Sequence, residues 1–229
     1  MYGFLVEFRL QGEPREFAKR MVLDVAKRFR VRGVTRRGRV VPHVTLYGPA
    51  KTRDIRQVIS EIQKVGRKYT LVPFTLKGFD HFNNEPKVIY INIEPSEELK
   101  QLRLELFQRL SRISTPQTWD RKPEFKFHAT VAFKDIDRKF EQIWAFMKNK
   151  EEPNLHQHLL RITVLDTYNS RIICEYDLVL KKLLNRRQAL SRYWRRRSIN
   201  RLKQLQGSSL SKRLSLLDKL HQFFGIRGK

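Results

Sequence analysis

Two segments, Pro42-His43-Val44-Thr45-Leu46-Tyr47 and Phe127-His128-Ala129-Thr130-Val131-Ala132-Phe133, repeat one pattern: a histidine, a small or apolar residue, a threonine, then apolar residues. Side chains alternate along a strand, so His43 and Thr45 share one face, as do His128 and Thr130, while the residues between them face a core. An imidazole titrates near pH ~6.5, so two histidines can supply a neutral base and a charged acid at one pH. Cleaving a phosphodiester needs both, on opposite sides of phosphorus, because the attacking and leaving oxygens lie in line. A threonine two residues along projects ~6.6 Å further on the same face, at ~3.3 Å per residue, where its hydroxyl can donate to a non-bridging oxygen. Two facing strands thus supply two acid/base groups and two phosphate donors. No metal or cofactor is required.

The neighbouring face positions extend the candidate site. Tyr47 continues the His43 face and would either stack on a nucleobase or pack at the cleft rim. Lys126, Ala132 and Lys134 continue the His128 face, and either lysine could hold phosphate charge or simply sit exposed at a strand end. Phe127 and Phe133 point the other way and read as core. His81, His156, His158 and His221 have no threonine two residues on. His156 and His158 share a strand face in the manner of a zinc pair, but no third ligand lies near them in sequence.

Strands and helices alternate around the motifs. Residues 2–9 read as a strand, and Pro14 opens a helix carrying Phe17, Met21, Val25 and Phe29 at helical spacing. Gly33 to Arg39 is a basic loop leading into the first motif. Thr52 and Asp54 open a second helix through Ile55, Val58, Ile59 and Ile62, and strands follow at about residues 71–79 and 87–94. Ser96 caps a third helix through Leu102, Leu106 and Leu110. Phe140, Ile143, Trp144 and Met147 mark a fourth, and Leu159–Leu165 with Arg171–Leu180 form a last hairpin turning at Asn169-Ser170. The order reads as two similar halves, each with its own motif strand.

Charge divides the chain. Its 229 residues carry a net charge of +25, with a pI near 10.6. Such a field favours polyanions, RNA first. Residues 181–229 hold fifteen basic residues against one acidic, Asp218, which places a boundary near 181. Apolar residues from Leu183 to Leu205, with Tyr193 and Trp194 among them, are spread through the arginines at helical spacing. Gly207 then ends the run and Ser208 or Ser209 caps a second helix carrying Leu210, Leu214 and Leu217. A basic helical hairpin that contacts RNA is the expectation, with Tyr193 and Trp194 as stacking candidates, against a tail that packs on the body or lies on anionic lipid. The single cysteine, Cys174, excludes an internal disulfide. No signal peptide is visible and no apolar run approaches the ~18 residues of a membrane span, so a soluble, cytoplasmic protein is the expectation.

At its motifs the chain resembles the two-histidine (2H) phosphoesterases, which include the RNA 2′,3′-cyclic phosphodiesterases also called 2′-5′ RNA ligases. The resemblance covers about residues 1–180 and includes the opening strand Tyr2-Gly3-Phe4-Leu5-Val6-Glu7-Phe8. Members often carry an arginine where this chain has Phe133, followed by Lys134. The resemblance implies an α+β, bilobal duplication: two mainly antiparallel sheets backed by helices, with the active-site cleft between them. The chain then divides into a phosphoesterase domain, 1–180, and a basic helical tail, 181–229. It further implies opening of a 2′,3′-cyclic phosphate at an RNA 3′ end to a 2′-phosphate. His43 would protonate the departing 3′ oxygen, His128 would activate water, and Thr45 and Thr130 would hold the non-bridging oxygens. The alternatives are a 2′-5′ RNA ligase or 2′-5′ oligonucleotide phosphodiesterase, and a non-catalytic RNA-binding protein on the same fold.

Overall fold

The computed structural model describes residues 1–36, 40–83, 86–122 and 124–223, with side chains as far as 207. Arg37 and Arg39 of the expected basic loop, and the side chains from Leu210 to His221, fall outside that range. In chain order the elements are β1 (Tyr2–Arg9), α1 (Gly12–Phe29), β2 (His43–Thr52), α2 (Ile55–Lys68), β3 (Pro73–Phe82) and β4 (Val88–Pro95). They continue with α3 (Glu97–Leu110), β5 (Ser114–Thr115), β6 (His128–Phe133), α4 (Phe140–Lys148) and β7 (Asn154–His158). The chain then runs through β8 (Arg161–Asp166), β9 (Arg171–Asp177), β10 (Lys182–Asn185), α5 (Arg186–Ala189) and α6 (Arg192–Phe223).

The strands form two antiparallel sheets, ordered β10-β9-β8-β1-β2-β5 and β6-β4-β3-β7. Each motif strand pairs with an apolar one: β2 with β1, β6 with β4. Helix starts follow local chemistry. The Asp54 carboxylate accepts from the Arg56 amide at 2.9 Å, and Ser96 Oγ accepts from the Leu99 amide at 3.3 Å, each satisfying an amide that has no partner within its helix. Ala18, Met21, Val22 and Val25 bury one face of α1, and Leu99, Leu102, Leu106 and Leu110 bury one face of α3. Phe8 of β1 and Phe74 of β3 meet with ring centroids 4.9 Å apart, so the two sheets share one core. β2 also lies against β6, which brings the motif strands together.

Both motif strands carry the same irregularity. On β2 the pairing jumps from Glu7↔Thr45 to Val6↔Tyr47, and on β6 from Tyr90↔Thr130 to Ile89↔Ala132. Leu46 and Val131 are therefore the extra residues of two β-bulges, each three positions after its histidine. A bulge reverses the inside–outside alternation beyond it. Tyr47 is accordingly 0% exposed, its hydroxyl 2.8 Å from Ser114 Oγ, and it cannot stack on a base. Burial also pushes its phenol pKa up. The same bulge corrects the other strand: Ala132 is buried, and Lys134 does not continue the His128 face. Lys134 lies past the strand end in the left-handed region (φ 77°), exposed, with its ammonium 5.4 Å from the Phe133 ring centroid.

Beyond Leu180 the chain stays joined to the body. β10 pairs with β9, and its Leu184 is fully buried, so a division at 180/181 cuts between two hydrogen-bonded strands. Ser198 of α6 is buried as well and receives a hydrogen bond from Arg161 at 2.7 Å. Arg161 itself bonds Asp177 at 2.9 Å and Glu175 at 3.0 Å, and Ser198 donates to Asp177. α6 continues through Gly207 without a break. The expected hairpin is replaced by one helix, because a lone glycine inside a helix costs only about 1 kcal/mol. Near the first motif, Asp135 accepts from the amides of Arg32 and Gly33 at 2.6 and 2.9 Å. Gly33 sits so close to the end of β6 that a Cβ there would lie 1.7 Å from the Phe133 carbonyl oxygen.

Candidate active site

The two histidines are held identically by backbone. His43 Nδ1 lies 2.9 Å from the Val41 carbonyl oxygen and His128 Nδ1 lies 2.9 Å from that of Lys126. A carbonyl only accepts, so Nδ1 carries the proton in both rings and Nε2 is left for chemistry. The burial pattern of each strand alternates over its first four residues, which sets Thr45 beside His43 and Thr130 beside His128 on the half-exposed face. Neither threonine hydroxyl has a hydrogen-bond partner among the described residues.

Their surroundings differ. Glu7 of β1, opposite Thr45, is 1% exposed, and its Oε2 lies 3.6 Å from His43 Nε2 with no hydrogen-bond partner of its own. The other oxygen accepts from Arg9 Nε at 3.0 Å. Opposite Thr130 the equivalent place on β4 is Tyr90. Its ring centroid is 5.0 Å from that of His128, and Phe82 closes a second side at 5.2 Å. Tyr90 donates to Asp80 Oδ2 at 3.1 Å, and Lys126 Nζ lies 3.3 Å from the same oxygen. Burial, with the positive charges of His43 and Lys126, holds the His128 pKa below its ordinary value, against the Nδ1 bond to Lys126. One imidazole thus faces a carboxylate, and the other sits in an aromatic box beside a cation.

The structure therefore gathers His43, Thr45, His128, Thr130 and Lys126, and leaves out Tyr47 and Lys134. Glu7, Tyr90 and Asp80 are additional. A carboxylate interrupting the apolar run Phe4-Leu5-Val6-Glu7-Phe8 was the one signal for Glu7 in the sequence. His81 packs against Trp144 and Phe140, His156 bonds Thr75 at 2.8 Å, and His158 bonds Gln206 at 3.1 Å. Among the described residues no three His, Cys, Asp or Glu side chains are grouped to hold a metal ion. No described helix is long and apolar enough to cross a membrane.

Comparison with known proteins agrees with this architecture. A protein of Geobacillus sp. is 28% identical over 88 residues, 38% of this chain and 51% of that protein. One from Bacillus pumilus is 26% identical over 136 residues, 58% of this chain and 75% of that protein. Both carry the provisional name of phosphoesterase. The chain's match thus spans about half the length of the first of these relatives. The crystal structure of TT0787 from Thermus thermophilus superposes with a TM-score of 0.50 at 15% identity, over 77% of this chain and 97% of that one, and shares the fold. The family model of the 2′-5′ RNA ligase superfamily matches residues 14–170, more than half of the sequence. The chain belongs to the 2′-5′ RNA ligase superfamily of two-histidine phosphoesterases.

Proposed function

We propose that this protein is an RNA 2′,3′-cyclic phosphodiesterase working by acid–base catalysis between His43 and His128. His128 Nε2 takes a proton from water as the water oxygen bonds to phosphorus. His43 Nε2 gives its proton to the 3′ oxygen as the P–O3′ bond breaks, leaving a 2′-phosphate and a 3′-hydroxyl. Thr45 and Thr130 donate to the non-bridging oxygens, where charge builds in the transition state. The observation that carries this reading is the pair of imidazoles, each held through Nδ1, in opposed surroundings. The Glu7 carboxylate, 3.6 Å from His43 Nε2, stands beside the ring given the acid's role. The aromatic box and the Lys126 ammonium favour neutral His128, which suits the base. Lys126, half-exposed at the rim, adds a cation for the substrate phosphate. With a 5′-hydroxyl in place of water, the same groups would form the P–O5′ bond as P–O3′ breaks, joining a cyclic phosphate as a 2′-5′ linkage.

The test is turnover of a short RNA ending in a 2′,3′-cyclic phosphate, with EDTA present and the product isomer identified by phosphorus NMR. Conversion to the 2′-phosphate is expected. No turnover, or turnover only after a divalent ion is restored, would overturn the proposal.

A further inference from the structure

A cavity of about 270 Å³ separates the first sheet from the C-terminal extension, and its wall includes Arg9, Arg15, Arg161, Ser191, Arg192 and Arg195. Three of these guanidiniums have carboxylates. Arg9 is 3.0 Å from Glu7, Arg15 is 2.8 Å from Glu16, and Arg161 is shared between Glu175 and Asp177 at 3.0 and 2.9 Å. The side chains of Arg192 and Arg195 form no hydrogen bond or ion pair among the described residues. Arg195 is half-buried, and burial together with the charges of Arg15 and Arg161 lowers its pKa against the pull of Glu16 and Glu175. Glu175 also lines the cavity and Arg192 is exposed, but neither Arg192 nor Arg195 has a carboxylate of its own, so a bound anion would meet two unpaired guanidiniums here.

The cavity shares a wall with the histidine site. Arg9 pairs directly with His43 across β1 and β2, and Val41, whose carbonyl fixes His43 Nδ1, also lines the cavity. An anion here lies next to one bound at His43. Guanidinium groups match phosphate oxygens in bidentate geometry, and several around one cavity suit a polyphosphorylated chain better than a carboxylate. We propose that this cavity is a phosphate-binding subsite that holds the backbone of the RNA strand whose end lies at His43 and His128. The proposal rests on the function given above. It assigns a role to the extension, whose Arg192 and Arg195 lie outside the segment matched by the family model.

The experiment uses full-length protein with Arg192→Gln/Arg195→Gln and a control, Arg196→Gln/Arg201→Gln, which removes equal charge from positions of the same helix that do not line the cavity. Binding of a fluorescent RNA octamer with a plain 3′-hydroxyl end is followed across a salt series. Turnover of a cyclic-phosphate octamer is compared with that of a mononucleotide 2′,3′-cyclic phosphate. Loss of two phosphate contacts should weaken octamer binding about tenfold and lower the log–log salt slope by ~1.4. The octamer's kcat/KM should fall at least tenfold more than the mononucleotide's, while the control changes by less than twofold. Equal losses in the two double variants, or an unchanged salt slope, would overturn the subsite. Pyrophosphate binding that does not compete with the octamer would also overturn it, as a site for free phosphates. Because the 3′-hydroxyl octamer is not a substrate, its binding tests the subsite even if no cyclic phosphate is ever turned over.

Discussion

The two motif strands are copies in backbone and opposites in surroundings. Each holds its histidine through Nδ1 to the carbonyl two residues back, at 2.9 Å, and each bulges three residues after that histidine. The residue across from the threonine is Glu7 in one half and Tyr90 in the other. A duplicated backbone therefore fixes where the nitrogens point, while the side chain across from each threonine, a carboxylate in one half and a phenol in the other, sets the surroundings of each ring. Ring placement and ring surroundings are set by different residues, so they can be altered separately.

Removing a ring breaks the pair most severely. His43→Ala or His128→Ala should each lower kcat/KM on a cyclic-phosphate RNA by ~10²–10⁴-fold, and the double variant should fall little below either single one, since both groups act in one step. A single variant that kept near-normal turnover would end the two-histidine mechanism. Glu7→Gln keeps an acceptor for Arg9 and deletes only the charge beside His43. A fall in kcat of about tenfold is expected from this one variant, with KM little changed, because the charge acts on proton delivery rather than on binding. An unaltered kcat would show that the difference between the halves does not direct the proton. The smallest effect is on pH dependence. In the proposed mechanism His128 acts only when neutral, and its lowered pKa should put the acidic limb of kcat/KM below pH ~6.5. Lys126→Met removes a positive neighbour and leaves that Asp80 oxygen with Tyr90 alone, so protonation of His128 becomes easier. The limb should move to higher pH, and a shift to lower pH would contradict the arrangement.

The motifs were legible because period-two alternation is a local property, readable from four residues at a time. Tyr47 and Lys134 were misread for the same reason: alternation continues on paper through Leu46 and Val131, whereas the bulges there depend on partner strands. The helices announced themselves through capping residues and apolar spacing, and Asp54 and Ser96 cap α2 and α3 as expected. β10 is four residues long and basic at its first position, too short for a pattern, and only pairing with β9 makes it a strand. Glu7 is the instructive omission. Its contact is with a neighbour 36 positions away in the sequence, and the broken apolar run marks the residue without naming that partner.

The contact at Gly33 bears on how the sequence can vary. The root of the basic loop rests on the end of β6, with no room for a methyl group against the Phe133 carbonyl and both its amides taken by Asp135. Any side chain at Gly33 would act as a wedge between the segment leading to one histidine and the turn just past the other. Substitution at this position would therefore be read as a change in the spacing of the two rings. The permissive positions of that loop begin only after its anchored root, and a mutational scan should find a sharp step in tolerance between residues 33 and 36.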